Sequence, residues 1–204
     1  MFKKISRRTC LRLYSKFPTA NNYHNKFFYP DTVAGYILTI PAKSLKGNIK
    51  NLASEFVKFM KLLGLKELIF LGDSTTEWLY RQNEYDDYKP AKDAFDYLIV
   101  NKLSKSFNGG IVVSITELPI FFNHLFWLTR SNAVIPYVHF VNEQQTFVGS
   151  ICQYGNIHLS VLDEEADNIL QGFLKESLFS ELEDQYCSNQ FSKSSAIKGR
   201  KIIV

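Results

Sequence analysis

The sequence predicts an α/β fold, with α+β as its neighbour: a mixed β-sheet flanked by helices in a three-layer sandwich, ending in an antiparallel meander. Three observations predict it. Between residues 33 and 130, short apolar runs alternate with stretches whose apolar residues recur every three or four positions, as strands and amphipathic helices do when they take turns. After Arg130 the apolar period changes to two for three successive runs, the pattern of antiparallel strands. The chain is 46% apolar with 17 phenylalanines in 204 residues, enough to fill the core of one domain.

The elements follow in order. Residues 15–31 are polar, with Asn21-Asn22 and Tyr29-Pro30-Asp31 as turn chemistry, and read as an irregular lead-in. Val33 to Ile40 reads as a strand closed by Pro41. From Ser44 to Leu63, the residues Leu45, Ile49, Leu52, Phe56, Phe59, Met60 and Leu63 mark one face of a helix that Gly64 stops. Glu67 to Leu71 is a short buried strand, after which Ser74-Thr75-Thr76-Glu77 fits a capping box for a helix carrying Trp78 and Leu79. Pro90 opens the next helix, whose stripe is Ala91, Ala94, Phe95, Leu98, Ile99 and Leu103. Asn108-Gly109-Gly110 turns into a strand, Ile111 to Thr116, and Pro119 starts a helix to Arg130 with Ile120, Phe121, Leu125 and Leu128 inward. Val134–Val141, Thr146–Gln153 and Asn156–Leu162 form the meander. Asp163, Glu164 and Glu165 cap a last helix with Ala166, Ile169, Leu170, Phe173, Leu174 and Leu178 on its core face.

Charge is distributed unevenly. Lys3, Lys4, Arg7, Arg8, Arg12, Lys16 and Lys26 all precede the first carboxylate, Asp31. On a helical wheel over residues 2–17, Lys3, Lys4, Arg7, Arg8 and Arg12 gather on one half, and Phe2, Ile5, Thr9, Leu13 and Phe17 on the other. A basic, acid-free amphipathic segment has the composition of a mitochondrial transit peptide, and Arg12-Leu13-Tyr14-Ser15 resembles the arginine-at-minus-three site of the matrix processing peptidase, with cleavage between Tyr14 and Ser15. The expected organisation is thus a leader over 1–14, within an outer range of 1–30, the irregular lead-in over 15–31, one globular domain over 32–180 and a mobile basic tail over 185–204. Without the leader the chain has 19 basic against 20 acidic residues, so the overall charge of +4 belongs mostly to its first residues. At the other end Lys193, Lys198, Arg200 and Lys201 follow the last acid, Asp184, and form a candidate tether to RNA or anionic lipid.

Cysteine usage fits a reducing compartment: Cys10 lies in the leader, and Cys152 and Cys187 are far apart in sequence and in no paired motif. The most apolar stretch, residues 111–128, is interrupted by Glu117, Pro119, Asn123 and His124, so no transmembrane span is expected.

Motifs that could carry chemistry are incomplete. Leu71-Gly72-Asp73-Ser74 resembles the nucleophile block of the GDSL esterases, which implies a serine nucleophile. That family pairs an aspartate with a histidine three residues on near the C-terminus, and here no histidine follows His158, so Ser74 reads as a helix cap. Asp163-Glu164-Glu165-Ala166-Asp167 is similar to a helicase box, but without a Gly-Lys-Ser/Thr phosphate loop its acids read as helix caps. Ile135-Pro136, the meander and the helix after it resemble the thioredoxin-like fold over the last third of the chain. No Cys-x-x-Cys precedes them, so the resemblance implies topology without thiol chemistry. His124, His139 and His158 are the remaining acid–base or metal candidates, the last two on strands that one cross-strand step could bring together.

The expected role is binding: an accessory or assembly factor of the mitochondrial matrix for a respiratory complex, a cytochrome or the mitochondrial ribosome. Its expected partners are the import machinery and a protein in the matrix or at the inner-membrane surface. No catalytic, cofactor-binding or metal-ligating residue is assigned, and no cofactor is expected. Phe122 and Phe126, on a helix too apolar for one buried face, and Trp78 are the interface candidates. A small matrix enzyme with a site assembled from distant residues and a basic-arm nucleic-acid-binding protein are the alternatives.

Overall fold

The computed structural model describes residues 2–21, 26–72, 76–85, 87–131, 138–182 and 187. Its strands are β1 (Lys3–Ile5), β2 (Thr19–Asn21), β3 (Lys26–Phe28), β4 (Ala34–Thr39), β5 (Glu67–Leu71), β6 (Gly110–Ser114), β7 (Val138–Asn142), β8 (Phe147–Ile151), β9 (Ile157–Val161) and β10 (Ser180–Glu181). The helices are α1 (Arg7–Leu13), α2 (Leu45–Leu62), α3 (Lys89–Val100), α4 (Leu118–Ser131) and α5 (Glu164–Glu176). Eight strands join one open sheet in the order β1-β6-β5-β7-β8-β9-β4-β10, while β2 and β3 form a separate hairpin.

Every ladder in the sheet is antiparallel, which corrects the expected mixed sheet. A helix between two strands does not oblige them to run parallel. The link from β5 to β6 contains α3, yet it starts and finishes at the same end of the sheet, so the neighbours oppose each other. The meander β7-β8-β9 is as expected, but among the described residues no parallel βαβ unit stands beside it, so the thioredoxin-like variant has no counterpart in the strand pairing. Ile135 and Pro136 themselves lie outside the described residues.

Helices α2 to α5 pack on one face. Their buried residues, among them Phe56, Phe59, Phe95, Leu98, Phe121, Leu125 and Leu170, form one cluster with Leu38, Phe70, Ile111, Phe140, Phe147 and Leu159 of the sheet. Local signals set the helix ends. Ser44 accepts from the Gly47 N–H at 3.2 Å, while Leu65 N–H bonds Met60 O and Gly64 N–H bonds Lys61 O across a glycine at φ 68°, a Schellman cap. Asp163 accepts from Ala166 N–H at 2.9 Å, and Glu164, Glu165 and Asp167 add negative charge to the first turn of α5.

The opposite face is covered by the N-terminal segment and by Leu182 and Cys187. Cys10 of α1 and Phe17 lie on Ile69, Leu71, Val112, Val141 and Val148, and further along the sheet Cys152 and Cys187 cluster with Ile37. In the full chain residues 2–14 are thus packed against the domain. Residues 3–5 are an edge strand on β6, Phe2 is buried in the helix-side core, and Cys10 is fully buried. Polar contacts fasten the same segment: Arg7 donates to Gly72 O and Asn108 O at 3.1 and 3.2 Å, Lys4 to Lys102 O at 2.8 Å, and Lys16 N–H to the Gln145 side-chain oxygen at 3.0 Å. The lead-in likewise contains the β2–β3 hairpin and the buried Phe17.

The expected helix at Trp78 is also corrected. Residues 76–81 are coil and turn, followed by a 3-10 turn, Gln82–Tyr85. Trp78 donates its indole N–H to Gly109 O at 2.8 Å and its backbone N–H to Phe107 O at 3.1 Å, tertiary bonds that take the place of a helical ladder.

Candidate functional site

The antiparallel register lines up one row of residues on the face opposite helices α2 to α5: Ile5, Gly110, Leu71, His139, Ser150, His158 and Ile37. His139 and His158 therefore share a face but are two strands apart, with Ser150 between them, rather than the single step expected. Each has a different cover. Tyr29 Oη lies 2.9 Å from His139 Nε2, and the Phe27 ring stands edge-on to the imidazole at 4.7 Å. His124 is remote from both, stacked on Tyr97 at 4.2 Å and 16°. Burial holds its imidazole below the ordinary histidine value, with Asp93 pulling weakly the other way.

Beside His158 the two cysteines meet. Cys152 follows β8, at the start of the turn into β9: Gly155 N–H returns to Cys152 O and Cys152 N–H to Asn156 O, each at 3.0 Å, with Gly155 at φ 83°. Cys187 arrives from the chain beyond β10 and places its sulfur 3.2 Å from that of Cys152. Asn156 donates its side-chain N–H to the Cys187 sulfur at 3.1 Å. One ligand atom each of Cys152, His158 and Cys187 lies within 4.8 Å of the others. The 35 residues of sequence between the two cysteines thus close to a sulfur contact, and Cys187, within the span read as a basic tail, is buried.

The two thiols are electrostatically unequal. Burial pushes Cys152 up, but the hydrogen bond with Cys187 and the neighbouring imidazole of His158 outweigh burial and hold it well below the ordinary thiol value. Cys187 is pushed up, first by the hydrogen bond to Cys152 and then by burial. By contrast Cys10 sits among apolar side chains, and burial raises its thiol to about 11.

The other sequence candidates fall elsewhere. Trp78, Phe122 and Phe126 are 2%, 1% and 3% exposed, so the three interface candidates are core residues. On α4, Phe122 stacks on Phe56 at 5.4 Å and Phe126 packs edge-on to Trp127 at 5.7 Å, while Ile120, expected to face inward, is exposed. Tyr14 caps the C-terminus of α1 and packs half-buried beside Cys10, and Ser15 is exposed. Ser74 and the tether residues Lys193, Lys198, Arg200 and Lys201 lie outside the described residues. The Tyr154-Gly155 turn could have paired Cys152 with His158 from sequence alone. Nothing local announces Cys187.

No protein-family model, curated protein or solved structure matches this chain.

Proposed function

We propose that the protein is an accessory or assembly factor of the mitochondrial matrix that works by binding another protein, with its basic N-terminal layer as the contact surface. The observation that carries this reading is the division of residues 2–17 into anchors and contacts: Phe2, Cys10 and Phe17 are buried, whereas Arg8, Leu11, Arg12, Leu13 and Lys16 are exposed. The acid-free composition suits an import address. The packing favours an address that is kept, because cleavage between Tyr14 and Ser15 would strip β1 from β6 and uncover Ile69, Val112 and Val141. From residue 15 to Asp184 the chain is acidic, with 15 basic against 20 acidic residues, so a cationic layer on an anionic body gives the partner an orientation. Its complement is an acidic protein surface with apolar points for Leu11 and Leu13.

The test is purification of the full tagged chain from mitochondria, with mass spectrometry of its N-terminus and its partners. The expected result is retention of residues 2–17 and one stoichiometric acidic protein that survives nuclease. Reversing Arg8 and Arg12 to Glu should release that protein while leaving the thermal midpoint in place, since both side chains are exposed. A cytosolic chain would refute the compartment. Nuclease-sensitive RNA, or binding only to anionic vesicles, would replace the protein partner.

A second reading, a small enzyme built from residues distant in sequence, has one observation in its favour, the meeting of Cys152, His158 and Cys187.

A further inference from the structure

We propose that Cys152, His158 and Cys187 form a site for one soft divalent cation, zinc by preference, that pins the chain beyond β10 to the β8–β9 turn. The donor set is two sulfurs and one imidazole, with all three ligand atoms within 4.8 Å of one another. Zinc bonds of about 2.3 Å to sulfur and 2.0–2.1 Å to nitrogen put tetrahedral ligands roughly 3.4–3.8 Å apart. The sulfurs, 3.2 Å apart, need to open only slightly to accept the ion. A disulfide would require them to close by more than ~1 Å to reach ~2.05 Å.

Charge and surroundings agree with the geometry. Cys152 and Cys187 are 8% and 1% exposed, so an ion there needs its charge cancelled on the spot. Two thiolates and a neutral imidazole cancel a divalent cation, and binding releases the two thiol protons to solvent. Asn156 supplies the outer shell, its side-chain N–H pointing at the Cys187 sulfur from 3.1 Å, the contact that orients and stabilises a ligating thiolate. His158 Nε2 is buried with no hydrogen-bond partner among the described residues, leaving a ring nitrogen to be satisfied. Three protein ligands leave a fourth position for water or an added donor. The site is independent of the basic N-terminal layer, and failure of either proposal leaves the other standing.

Cobalt(II) is the probe. The full chain, reduced and stripped of metal with a chelator, is titrated with Co²⁺ and followed by absorbance. The expected result is thiolate-to-cobalt charge transfer and tetrahedral ligand-field bands that saturate at one equivalent and disappear on adding one equivalent of Zn²⁺. Cys152→Ser with Cys187→Ser should abolish the bands, and His158→Gln should weaken binding at least tenfold. Absence of charge transfer at excess Co²⁺, or its persistence in the double serine variant, overturns the site. Native mass spectrometry of the unmutated chain gives an answer that does not depend on variants folding. One zinc per chain, with two protons lost, supports the site, and a metal-free chain in excess Zn²⁺ overturns it.

Discussion

At Gly110 the absence of a side chain lets α1 lie on the sheet: a Cβ there would sit 2.6 Å from the Cys10 sulfur and 3.6 Å from Phe70 O. Gly110→Ala is therefore expected to cost about 1–3 kcal/mol by overpacking, read as a lower midpoint in urea. Adding Cys10→Ala should return part of that loss, a coupling that a double-mutant cycle measures. His124 gives a titration to follow. Its folded-state affinity for a proton is lower than that of the unfolded chain, because burial disfavours the imidazolium. The unfolded state thus binds more protons in the window below the ordinary histidine value of about 6.5. The contribution of His124 to stability is complete above that pH and is lost as pH falls toward the depressed folded value. His124→Phe, which keeps an aromatic ring against Tyr97, should flatten this part of the stability–pH curve measured by denaturation.

Among the elements, α2 was the most legible, because its signals are local. Ser44 and Gly64 cap it, and its apolar spacing of three and four faces the sheet. Phe56 sits at the centre of that face, stacked on Phe122 at 5.4 Å and edge-on to Phe140 at 5.4 Å. Phe56→Ala should cost about 3–5 kcal/mol, a loss that chemical denaturation would register directly. Elsewhere, local pattern and tertiary partners disagreed. The capping-box signal before Trp78 was overruled by the bonds Trp78 makes to Gly109 and Phe107. Of the helix that the amphipathic wheel marks over residues 2–17, only Arg7–Leu13 is helical, Lys3–Ile5 being a strand, and the exposed Leu13 and buried Cys10 depart from the wheel's faces, since an apolar stripe does not say what it meets. Half of the Cys152–His158–Cys187 cluster was within reach of sequence reasoning, at the β8–β9 turn. The other half depends on where Cys187 docks, and no periodicity encodes that. Deleting residues 1–14 is expected to uncover Ile69, Val112 and Val141, with dye binding to exposed apolar surface and oligomers on a sizing column as the readout.

For the molecule as a whole, strand order departs widely from chain order. β4 pairs with β9 and β10, β1 pairs only with β6, and the first and last strands occupy opposite edges of the sheet. Such non-local pairing predicts refolding on the millisecond-to-second scale, without the microsecond phase of helical bundles, as stopped-flow fluorescence of Trp78 and Trp127 would report. It also sets a schedule during synthesis. Residues 3–5 have no strand to pair with until Gly110 has been made, and at ~5–20 residues per second that delay lasts on the order of 5–20 s. For that interval Phe2, Cys10 and Phe17 have no core to enter, and the basic amphipathic segment is a free ligand for whatever reads it. Once β6 arrives, the same residues become an edge and a cover. One stretch of chain therefore waits unpaired while it is young and is masonry once it is old, with the sheet itself keeping the time.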